Sequence, residues 1–379
     1  MTRVAVLGST GSIGRQALEV LELHRDRFEV VGLAAGHLDE RFQAQRARWP
    51  AALSWTADEA GPTAGFEATS GGLVDLVAAC RADLVLVATS GTAALPAVLA
   101  ALADGRRVAL ANKETLVTGG HLVDRALEDL GGDRLDWLRP VDSEHSAIWQ
   151  CLLGERLEEV ARLILTASGG PFRSLDPAQL RDVTPQRALQ HPTWRMGPKI
   201  TIDSATLVNK AFEAIEARWL YRLSYSKIEA VIHPGSMVHS LVEFTDGSYK
   251  AQLGPPDMRL PIQFALTYPL RLPSAARTLG PERWGALEFA PLDPDRYPAY
   301  RAVREAAEAG GNRGAVMNAA DEVAVEAFLG GRLRFDAITQ VIVRAVERWG
   351  SDTEPQLSEI GAIDREVRAA LRQELEVTA

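Results

Sequence analysis

The hydrophobic pattern at the start of the chain predicts a buried strand, a turn and a helix. Residues 3–7 form a continuous apolar run, typical of a central parallel strand. The glycine-rich segment 8–14 follows, and a helical pattern then extends to Phe28. Glycines in such a turn let the backbone approach a pyrophosphate, and the helix N-terminus presents free N–H donors. The spacing G-x-x-G-x-x-G therefore predicts a dinucleotide site, with a purely structural turn as the alternative.

A second strand is predicted at 29–33, and the residues after it bear on the choice of cofactor. NAD enzymes usually place an acidic residue here on the ribose 2′-hydroxyl. This chain has His37 and Leu38 instead, although Asp39 and Glu40 lie close by. The missing acid favours NADP. The cations available to its 2′-phosphate are His37, Arg41 and Arg46.

Two further buried strands are predicted at 84–87 and 108–110. The uncharged run 84–103 has the length of a membrane span, but Pro96 and a polar turn favour a strand, a turn and a helix. Lys113 follows the second strand, at the edge where ligands bind in parallel sheets. It is a candidate site residue, with a surface cation as the alternative.

Two carboxylates follow a further predicted strand near Leu138. Asp142 and Glu144 lie two residues apart, so in an extended chain they project to the same face. Mg2+ and Mn2+ prefer oxygen ligands of this kind. The pair therefore predicts a metal site, and an acidic turn leading into a helix is the alternative.

The second half of the chain has a different pattern. Strands are predicted at 163–165, 228–232, 241–244 and 248–253. The Asp-Gly step between the last two is a strong hairpin signal. Ser168, which precedes two glycines, begins either an anion-binding loop or a plain connection.

Residues 203–216 are predicted to form one helix that carries polar groups on one face. Asn209, Glu213 and Glu216 are spaced i, i+4 and i+7. Glu213 is a third carboxylate for the metal, unless it only pairs with Lys210 on the surface. The groups that could meet a phosphate are Ser168, Ser204, Asn209 and Lys210.

The remaining segments complete the predicted organisation. The loop 187–199 holds prolines and a tryptophan, which suits a lid that closes over a ligand or a packed surface loop. A proline-rich linker at 269–298 precedes four helical patterns. These lie at 299–309, 318–329, 335–349 and 355–374.

Composition narrows the function and the compartment. The net charge of -9 over 379 residues argues against a nucleic-acid binder. Cys80 and Cys151 lie in apolar helical patterns, which indicates buried thiols in a reducing compartment. The N-terminus begins a strand at once, so no signal peptide is expected. We therefore expect a cytoplasmic protein with no membrane partner.

A series of motifs in chain order completes the picture. They are GSTGSIG at 8–14, ANKE at 111–114, VDSEH at 141–145, SGGPF at 168–172, HPTWRMG at 191–197, DSAT at 203–206, NK at 209–210, HP at 233–234, HS at 239–240, QLG at 252–254 and PDMR at 256–259. With these, nearly the whole chain resembles the 1-deoxy-D-xylulose 5-phosphate reductoisomerase family. The expected fold is α/β, with a Rossmann-like NADPH-binding domain at 1–142 and a central α+β catalytic domain at 143–268. The linker at 269–298 and a C-terminal helical domain at 299–379 follow.

The resemblance implies an activity and its cofactors. The family rearranges 1-deoxy-D-xylulose 5-phosphate and reduces the product with NADPH to 2-C-methyl-D-erythritol 4-phosphate, an early step toward isoprenoids. It uses Mg2+, Mn2+ or Co2+ and forms homodimers. The family often has a Lys or Arg and then Asn after Gly36, so His37 and Leu38 put the usual 2′-phosphate contacts in question.

The resemblance also implies roles for particular residues. The implied metal ligands are Asp142, Glu144 and Glu213. The implied phosphate ligands are Ser168, His191, Ser204, Asn209 and Lys210. Lys113 and Ser143 meet the hydroxyl and carbonyl end of the substrate, and Trp194 and Met196 belong to the closing loop. The implied cofactor residues are Thr10, Gly11, Ser12, Ile13, Gly36, Asn112, Glu114 and Gly197.

Two other functions remain open from the residues. A semialdehyde dehydrogenase shares the N-terminal glycine pattern but needs a nucleophilic cysteine at a helix N-terminus. A dinucleotide-binding regulator without turnover needs no metal, so the three carboxylates argue against it.

Overall fold

The structure, a computed structural model, describes residues 1–60, 66–191, 194 and 196–377. The chain divides into two compact units. The first comprises Met1–Leu116, Gly120–Gln150 and Asp257–Thr278, and the second holds the other described residues. Residues 257–278 thus return to the first unit, and the C-terminal helices belong to the second. The domain boundaries given above remain a prediction.

The first unit contains a six-stranded parallel sheet. Its strands are β1 Thr2–Leu7, β2 Phe28–Ala35, β3 Leu53–Thr56, β4 Leu84–Val87, β5 Arg107–Leu110 and β6 Leu138–Pro140. They are ordered β3-β2-β1-β4-β5-β6, the order of a doubly wound dinucleotide-binding sheet. The apolar run at 3–7 belongs to β1, in the middle of this sheet. The sequence is continuously apolar there because both faces of a central parallel strand are covered. The predicted Rossmann-like architecture is confirmed.

The second unit contains a five-stranded mixed sheet. Its strands are β7 Val160–Ala167, β8 Ile228–Ile232, β9 Val238–Phe244, β10 Tyr249–Leu253 and β11 Ala290–Pro291, in the order β10-β9-β7-β8-β11. The antiparallel β9–β10 pair confirms the predicted hairpin. The Asp246 carboxylate accepts from the Ser248 N–H at 2.9 Å and so stabilises its turn.

The helices are α1 Ser12–Leu23, α2 Glu40–Arg48, α3 Phe66–Cys80, α4 Leu95–Ala103, α5 Lys113–Leu130, α6 Arg134–Trp137, α7 Ser143–Leu152, α8 Pro185–Ala188, α9 Pro198–Thr206, α10 Val208–Tyr221, α11 Arg259–Thr267, α12 Pro298–Ala309, α13 Arg313–Leu329, α14 Ile338–Trp349 and α15 Leu357–Val377. α1 ends before the predicted limit at Phe28, because Phe28 already belongs to β2. Pro96 lies in the first turn of α4, so the run 84–103 is a strand, a turn and a helix as predicted. Every described helix is too short or too polar to cross a bilayer.

The four predicted C-terminal helices are confirmed, and they share their core with the helices beside the second sheet. Phe212 on α10, Phe328 on α13 and Ile342 on α14 belong to one buried apolar cluster. Apolar side chains at helical spacing are buried when several helices pack together. This packing holds α9 and α10, which carry the candidate phosphate residues, against the C-terminal helices.

Candidate active site

The glycine-rich turn between β1 and α1 is shaped by close backbone packing. Gly8 has φ +83°, and a Cβ there would meet the Ala88 carbonyl oxygen at 2.4 Å. A Cβ on Gly14 would meet the Gly8 carbonyl oxygen at 2.2 Å. These two glycines are therefore required by the fold. The candidate cofactor residues Thr10, Gly11, Ser12 and Ile13 lie between them.

The N-terminus of α1 has the properties of an anion site. Its N-cap is Gly11, which makes no side-chain capping bond, and its first turn carries no acidic residue. The first N–H groups of a helix lack partners within the helix, and the helix dipole favours a negative charge there. The pyrophosphate of a dinucleotide meets these requirements.

The end of β2 carries a polar pair that sequence reasoning missed. The Asp58 carboxylate accepts from the Leu38 N–H at 2.8 Å, and its other oxygen lies 3.2 Å from Nδ1 of His37. The Leu38 N–H and then His37 lower the pKa of Asp58. Asp39 caps α2 by accepting from the Phe42 N–H at 2.8 Å. The only available signal for Asp58 was its position just after β3, at the same edge of the sheet.

The residues after β5 hold one another in place. Asn112 caps α5: its Oδ1 accepts from the Thr115 N–H at 2.9 Å, and its Nδ2 donates to Gly91 O at 2.9 Å. Glu114 accepts from the Gly91 N–H at 3.2 Å. Lys113 is buried and forms an ion pair with Asp142. It is therefore not a surface cation.

The two carboxylates after β6 do not lie in an extended segment, so that expectation was wrong. β6 ends at Pro140 and α7 begins at Ser143, which places Glu144 in the first helical turn. The Asp142 carbonyl accepts from the Ser146 N–H at 2.8 Å, and its side chain accepts from the Ser143 N–H at 2.9 Å. Asp142 thus occupies the N-cap position, where Asp is strongly preferred.

The charges around Asp142 favour its ionised form. Burial raises the pKa of this carboxyl, but Lys113 and His145 together lower it by a larger amount, so the net shift is downward. His145 Nδ1 lies 3.3 Å from the Asp142 carboxylate. The Ser143 hydroxyl donates to Glu144 at 2.5 Å. Ionised carboxylates at the end of a parallel sheet suit a divalent cation.

In the second unit, three separated segments meet around one imidazole. His191 Nε2 lies 3.2 Å from the Ser168 hydroxyl and 3.1 Å from the Ser204 hydroxyl. Burial lowers the pKa of His191, which favours its neutral form at neutral pH. The Gly170 N–H donates to the Ser168 hydroxyl at 3.2 Å. Hydroxyls, an imidazole and backbone donors of this kind suit a phosphate.

The predicted single helix over 203–216 is two helices, α9 and α10. Leu207 between them has a left-handed backbone, with φ +60°. The Thr206 hydroxyl accepts from the Val208 N–H at 3.3 Å and competes there with the helical hydrogen bond.

The polar face predicted on α10 is nevertheless present. Asn209 Nδ2 donates to Glu213 at 2.6 Å, and Lys210 forms an ion pair with the same carboxylate. Lys210 and Glu213 are 3% and 1% exposed, so this is a buried pair and not a surface one.

Part of the predicted lid loop is described. Pro192, Thr193 and Arg195 lie outside the described residues. The Trp194 N–H donates to Nδ1 of His191 at 2.9 Å, and the Trp194 ring lies 6.3 Å from that of His239. Met196 is half-buried, and Gly197 is the N-cap of α9. Trp194 therefore connects the described part of this loop to His191, one of the candidate phosphate ligands.

Comparisons with known proteins decide the family. Models of the 1-deoxy-D-xylulose 5-phosphate reductoisomerase family match residues 4–120, 138–221 and 253–370. The reductoisomerases of Geobacillus kaustophilus and Thermomicrobium roseum are 47% and 48% identical to this chain. The first alignment covers 98% of this chain and 99% of the relative, and the second covers 98% and 97%. The chain belongs to the 1-deoxy-D-xylulose 5-phosphate reductoisomerase family.

Solved reductoisomerase structures agree with this assignment. A crystal structure of a DOX-P reductoisomerase in complex with NADPH, fosmidomycin and magnesium has a TM-score of 0.89 and 32% identity, and the match covers 100% of this chain and 99% of that one. The Zymomonas mobilis enzyme in complex with NADPH has a TM-score of 0.87 and 37% identity, with 99% of each chain covered. The cofactors of the reductoisomerase family are thus NADPH and a divalent metal, as predicted.

The cysteines rule out the dehydrogenase alternative. Cys80 and Cys151 are buried free thiols in the reductoisomerase fold. Burial raises the pKa of Cys80 and raises that of Cys151 to about 11. A nucleophilic cysteine needs the opposite shift, because the thiolate is the reactive form.

Proposed function

We propose specific residues for the substrate and cation sites of this chain, whose reaction is that of its family. The reaction is the NADPH- and divalent-metal-dependent conversion of 1-deoxy-D-xylulose 5-phosphate to 2-C-methyl-D-erythritol 4-phosphate, in the non-mevalonate route to isoprenoid precursors. The proposed phosphate ligands are Ser168, His191, Ser204, Asn209 and Lys210. The proposed metal ligands are Asp142, Glu144 and Glu213.

The observation that best supports the phosphate site is the meeting of Ser168, Ser204 and His191 within 3.2 Å. These residues come from separate segments, and the hydroxyls of Ser168 and Ser204 converge on the same imidazole nitrogen. A neutral imidazole and two hydroxyls give the site hydrogen-bond donors, and Lys210 gives it a positive charge. Charge-assisted hydrogen bonds of this kind dominate phosphate recognition.

The carboxylates fit a divalent cation by their chemistry. Asp142 and Glu144 offer hard oxygen donors, and the lowered pKa of Asp142 keeps it ionised, as a metal ligand must be. A bound cation supplies stabilisation of the negative charge that develops on the substrate oxygens. Lys113 and Ser143 are proposed to contact the hydroxyl and carbonyl end of the substrate.

The cofactor is proposed to bind along the carboxyl ends of the first sheet. The uncapped N-terminus of α1 fits its pyrophosphate. NADPH supplies the hydride for the reduction. The proposed contacts are Thr10, Gly11, Ser12, Ile13, Gly36, Asn112, Glu114 and Gly197. Trp194 and Met196 are proposed to close over the substrate and exclude water.

Two further properties follow from the family resemblance. We propose that the chain acts as a homodimer and that it works in the cytoplasm. Size-exclusion chromatography with light scattering measures the mass in solution, and a monomer mass would contradict the first proposal.

The metal role has a direct test. NADPH oxidation with 1-deoxy-D-xylulose 5-phosphate is followed with Mn2+ and then with EDTA. We expect Glu213→Gln to abolish the Mn2+-dependent rate while NADPH binding, followed by fluorescence, stays unchanged. The control is Glu229→Gln, because Glu229 lies on the exposed side of β8 and pairs with Arg162. Metal-dependent turnover at the original rate in Glu213→Gln would contradict the proposed ligand.

A further inference from the structure

A cavity lies in the first unit, at the edge of the parallel sheet opposite to the proposed cofactor residues. Its volume is about 510 Å³, and its lining includes Thr2, Phe28 and Arg107. Thr2, Phe28 and Arg107 are the first residues of β1, β2 and β5. The glycine turn and Lys113 instead follow the carboxyl ends of β1 and β5. Ligands of parallel sheets usually bind at the carboxyl edge, so the reaction does not account for this cavity.

Three arginines and one aspartate line the cavity: Arg27, Arg107, Arg139 and Asp136. Its formal charge is therefore positive. Arg139 is only 6% exposed. Its Nη1 donates to the Ala265 carbonyl at 2.9 Å and its Nε to the Asp136 carbonyl at 3.3 Å. A guanidinium has five N–H donors, so further donors of Arg139 remain for a ligand.

The charge of Arg139 is poorly compensated. The hydrogen bonds of Arg139 go to the carbonyl oxygens of Asp136 and Ala265, which are neutral groups. Burial lowers the pKa of Arg139 to about 10, repulsion by Arg107 adds to the effect, and the charge of Asp136 only partly offsets it. A buried charge that is only partly compensated is unfavourable, whereas an anion between two guanidiniums would remove their repulsion.

The wall also carries apolar and aromatic side chains. Phe28, Leu266 and Leu270 line it, and the Tyr268 ring lies 5.5 Å from the Arg139 guanidinium. Small-molecule sites commonly have volumes of this order and combine an apolar wall with a few converging polar groups. The guanidinium fork matches the geometry of phosphate and carboxylate oxygens.

We propose that this cavity, the arginine pocket, binds a small organic oxyanion, with its phosphate or carboxylate group on Arg107 and Arg139 and its apolar part against Phe28 and Leu266. The pocket is a ligand site separate from the substrate and cofactor sites. The proposal does not depend on the residue roles proposed for the reaction.

Calorimetric titration of the full-length protein with inorganic pyrophosphate tests the proposal. EDTA is present to remove metal ions, and saturating NADPH is present so that the proposed pyrophosphate site at the N-terminus of α1 is already occupied. The titration is done in a Lys210→Gln background, which weakens phosphate binding at the proposed substrate site. We expect pyrophosphate to bind this variant, and we expect added Arg107→Gln to weaken that binding by about tenfold or more, because the substitution removes charge-assisted hydrogen bonds to the probe.

A matched control and a second variant make the result specific. Arg156→Gln removes an exposed arginine of the second unit, whose side chain is 73% exposed, and should leave the affinity unchanged. Arg139→Gln should weaken binding as Arg107→Gln does, and if it fails to fold, Arg107→Gln alone decides. No binding to the Lys210→Gln protein, equal affinity with and without Arg107, or equal weakening by Arg156→Gln would each overturn the proposal.

A parallel titration with malonate identifies the class of anion. Binding of both probes, with the same loss on Arg107→Gln, supports a general oxyanion site. Binding of pyrophosphate alone supports a phosphate-bearing ligand, and binding of malonate alone supports a carboxylate. Binding of neither probe contradicts the arginine pocket.

Discussion

The ammonium of Lys199 lies 2.7 Å from the carboxylate of Asp321, which has no exposed surface. Lys199 also lies 2.6 Å from Asp203, one turn further along α9. Asp203 directly precedes Ser204 of the proposed phosphate group, and Lys199 ends the predicted lid segment. The ion pair with Asp321 therefore holds α9 against α13 at the point where the predicted lid segment adjoins the proposed phosphate-binding residues.

Asp321 should make stability depend on pH. Burial raises the pKa of Asp321 above its ordinary value of 3.8, and Lys199 only partly offsets this. The folded state thus keeps a proton at pH values where the unfolded chain has released it. The contribution of Asp321 to the free energy of unfolding therefore falls as pH rises above about 4. Asn cannot ionise. We therefore expect the free energy of unfolding of Asp321→Asn, taken relative to that of the original protein, to be higher at pH 7 than at pH 4.5.

Urea unfolding followed by circular dichroism measures this difference at the two pH values. Asp352→Asn is the control, because Asp352 is 91% exposed and should change the free energy of unfolding by less than about 0.5 kcal/mol at either pH. If the difference in free energy of unfolding between Asp321→Asn and the original protein is the same at both pH values, Asp321 does not titrate between pH 4.5 and pH 7.

The glycine turn should tolerate no side chain at Gly14. A Cβ there would lie 2.2 Å from the Gly8 carbonyl oxygen, so the backbone must move, and overpacking of this kind typically destabilises by about 1–3 kcal/mol. We expect Gly14→Ala to lower the melting temperature and to weaken NADPH binding. In Gly36→Ala the new Cβ meets no described atom within 4 Å, so the melting temperature of this variant should equal that of the original protein. Equal melting temperatures for the two variants would contradict the packing argument.

Asp58 should weaken the preference for NADPH over NADH. Its carboxylate already occupies the Leu38 N–H and contacts His37, and its negative charge opposes a 2′-phosphate near the end of β2. We expect Asp58→Asn to raise the ratio of NADPH to NADH affinity by about threefold, a small effect because the pair is exposed to solvent. Fluorescence titration gives both affinities. His37→Gln should change the ratio in the opposite direction, and an unchanged ratio in both variants would place the 2′-phosphate elsewhere.

The thiols should be dispensable. Cys80 and Cys151 are buried with raised pKa values, so few thiolates form near neutral pH. The double variant Cys80→Ser, Cys151→Ser should retain most of the turnover, and the folded protein should react with iodoacetamide much more slowly at pH 8 than the urea-unfolded chain. Loss of turnover in a double variant with an unchanged melting temperature would point to a chemical role for a thiol.

Local patterns determined much of the fold. The apolar run, glycine turn and helix at the N-terminus, the Asp-Gly hairpin and the four C-terminal helices all agree with the structure. Each depends on spacing within a short segment: period two or continuous burial for strands, period 3.6 for helices, and particular residues for turns. The ordered motifs also identified the family, because they carry the chemistry of its site.

Local competition explains where the patterns failed. The Asp142 backbone and side chain begin a helix where an extended chain was expected, and the Thr206 hydroxyl helps to interrupt a helix that periodicity made continuous. Side chains of Asp and Thr can replace backbone hydrogen bonds, and hydrophobic periodicity does not report this.

Only the tertiary structure revealed the long-range polar pairs. Asp58 meets Leu38, Lys199 meets Asp321, and Arg139 shares a cavity with Arg27. A sequence pattern reports whether a position is buried, because burial follows the local period of the chain. The identity of a buried group's partner depends instead on which segments the strand order and helix packing bring together, and the strength of their interaction depends on the water excluded there.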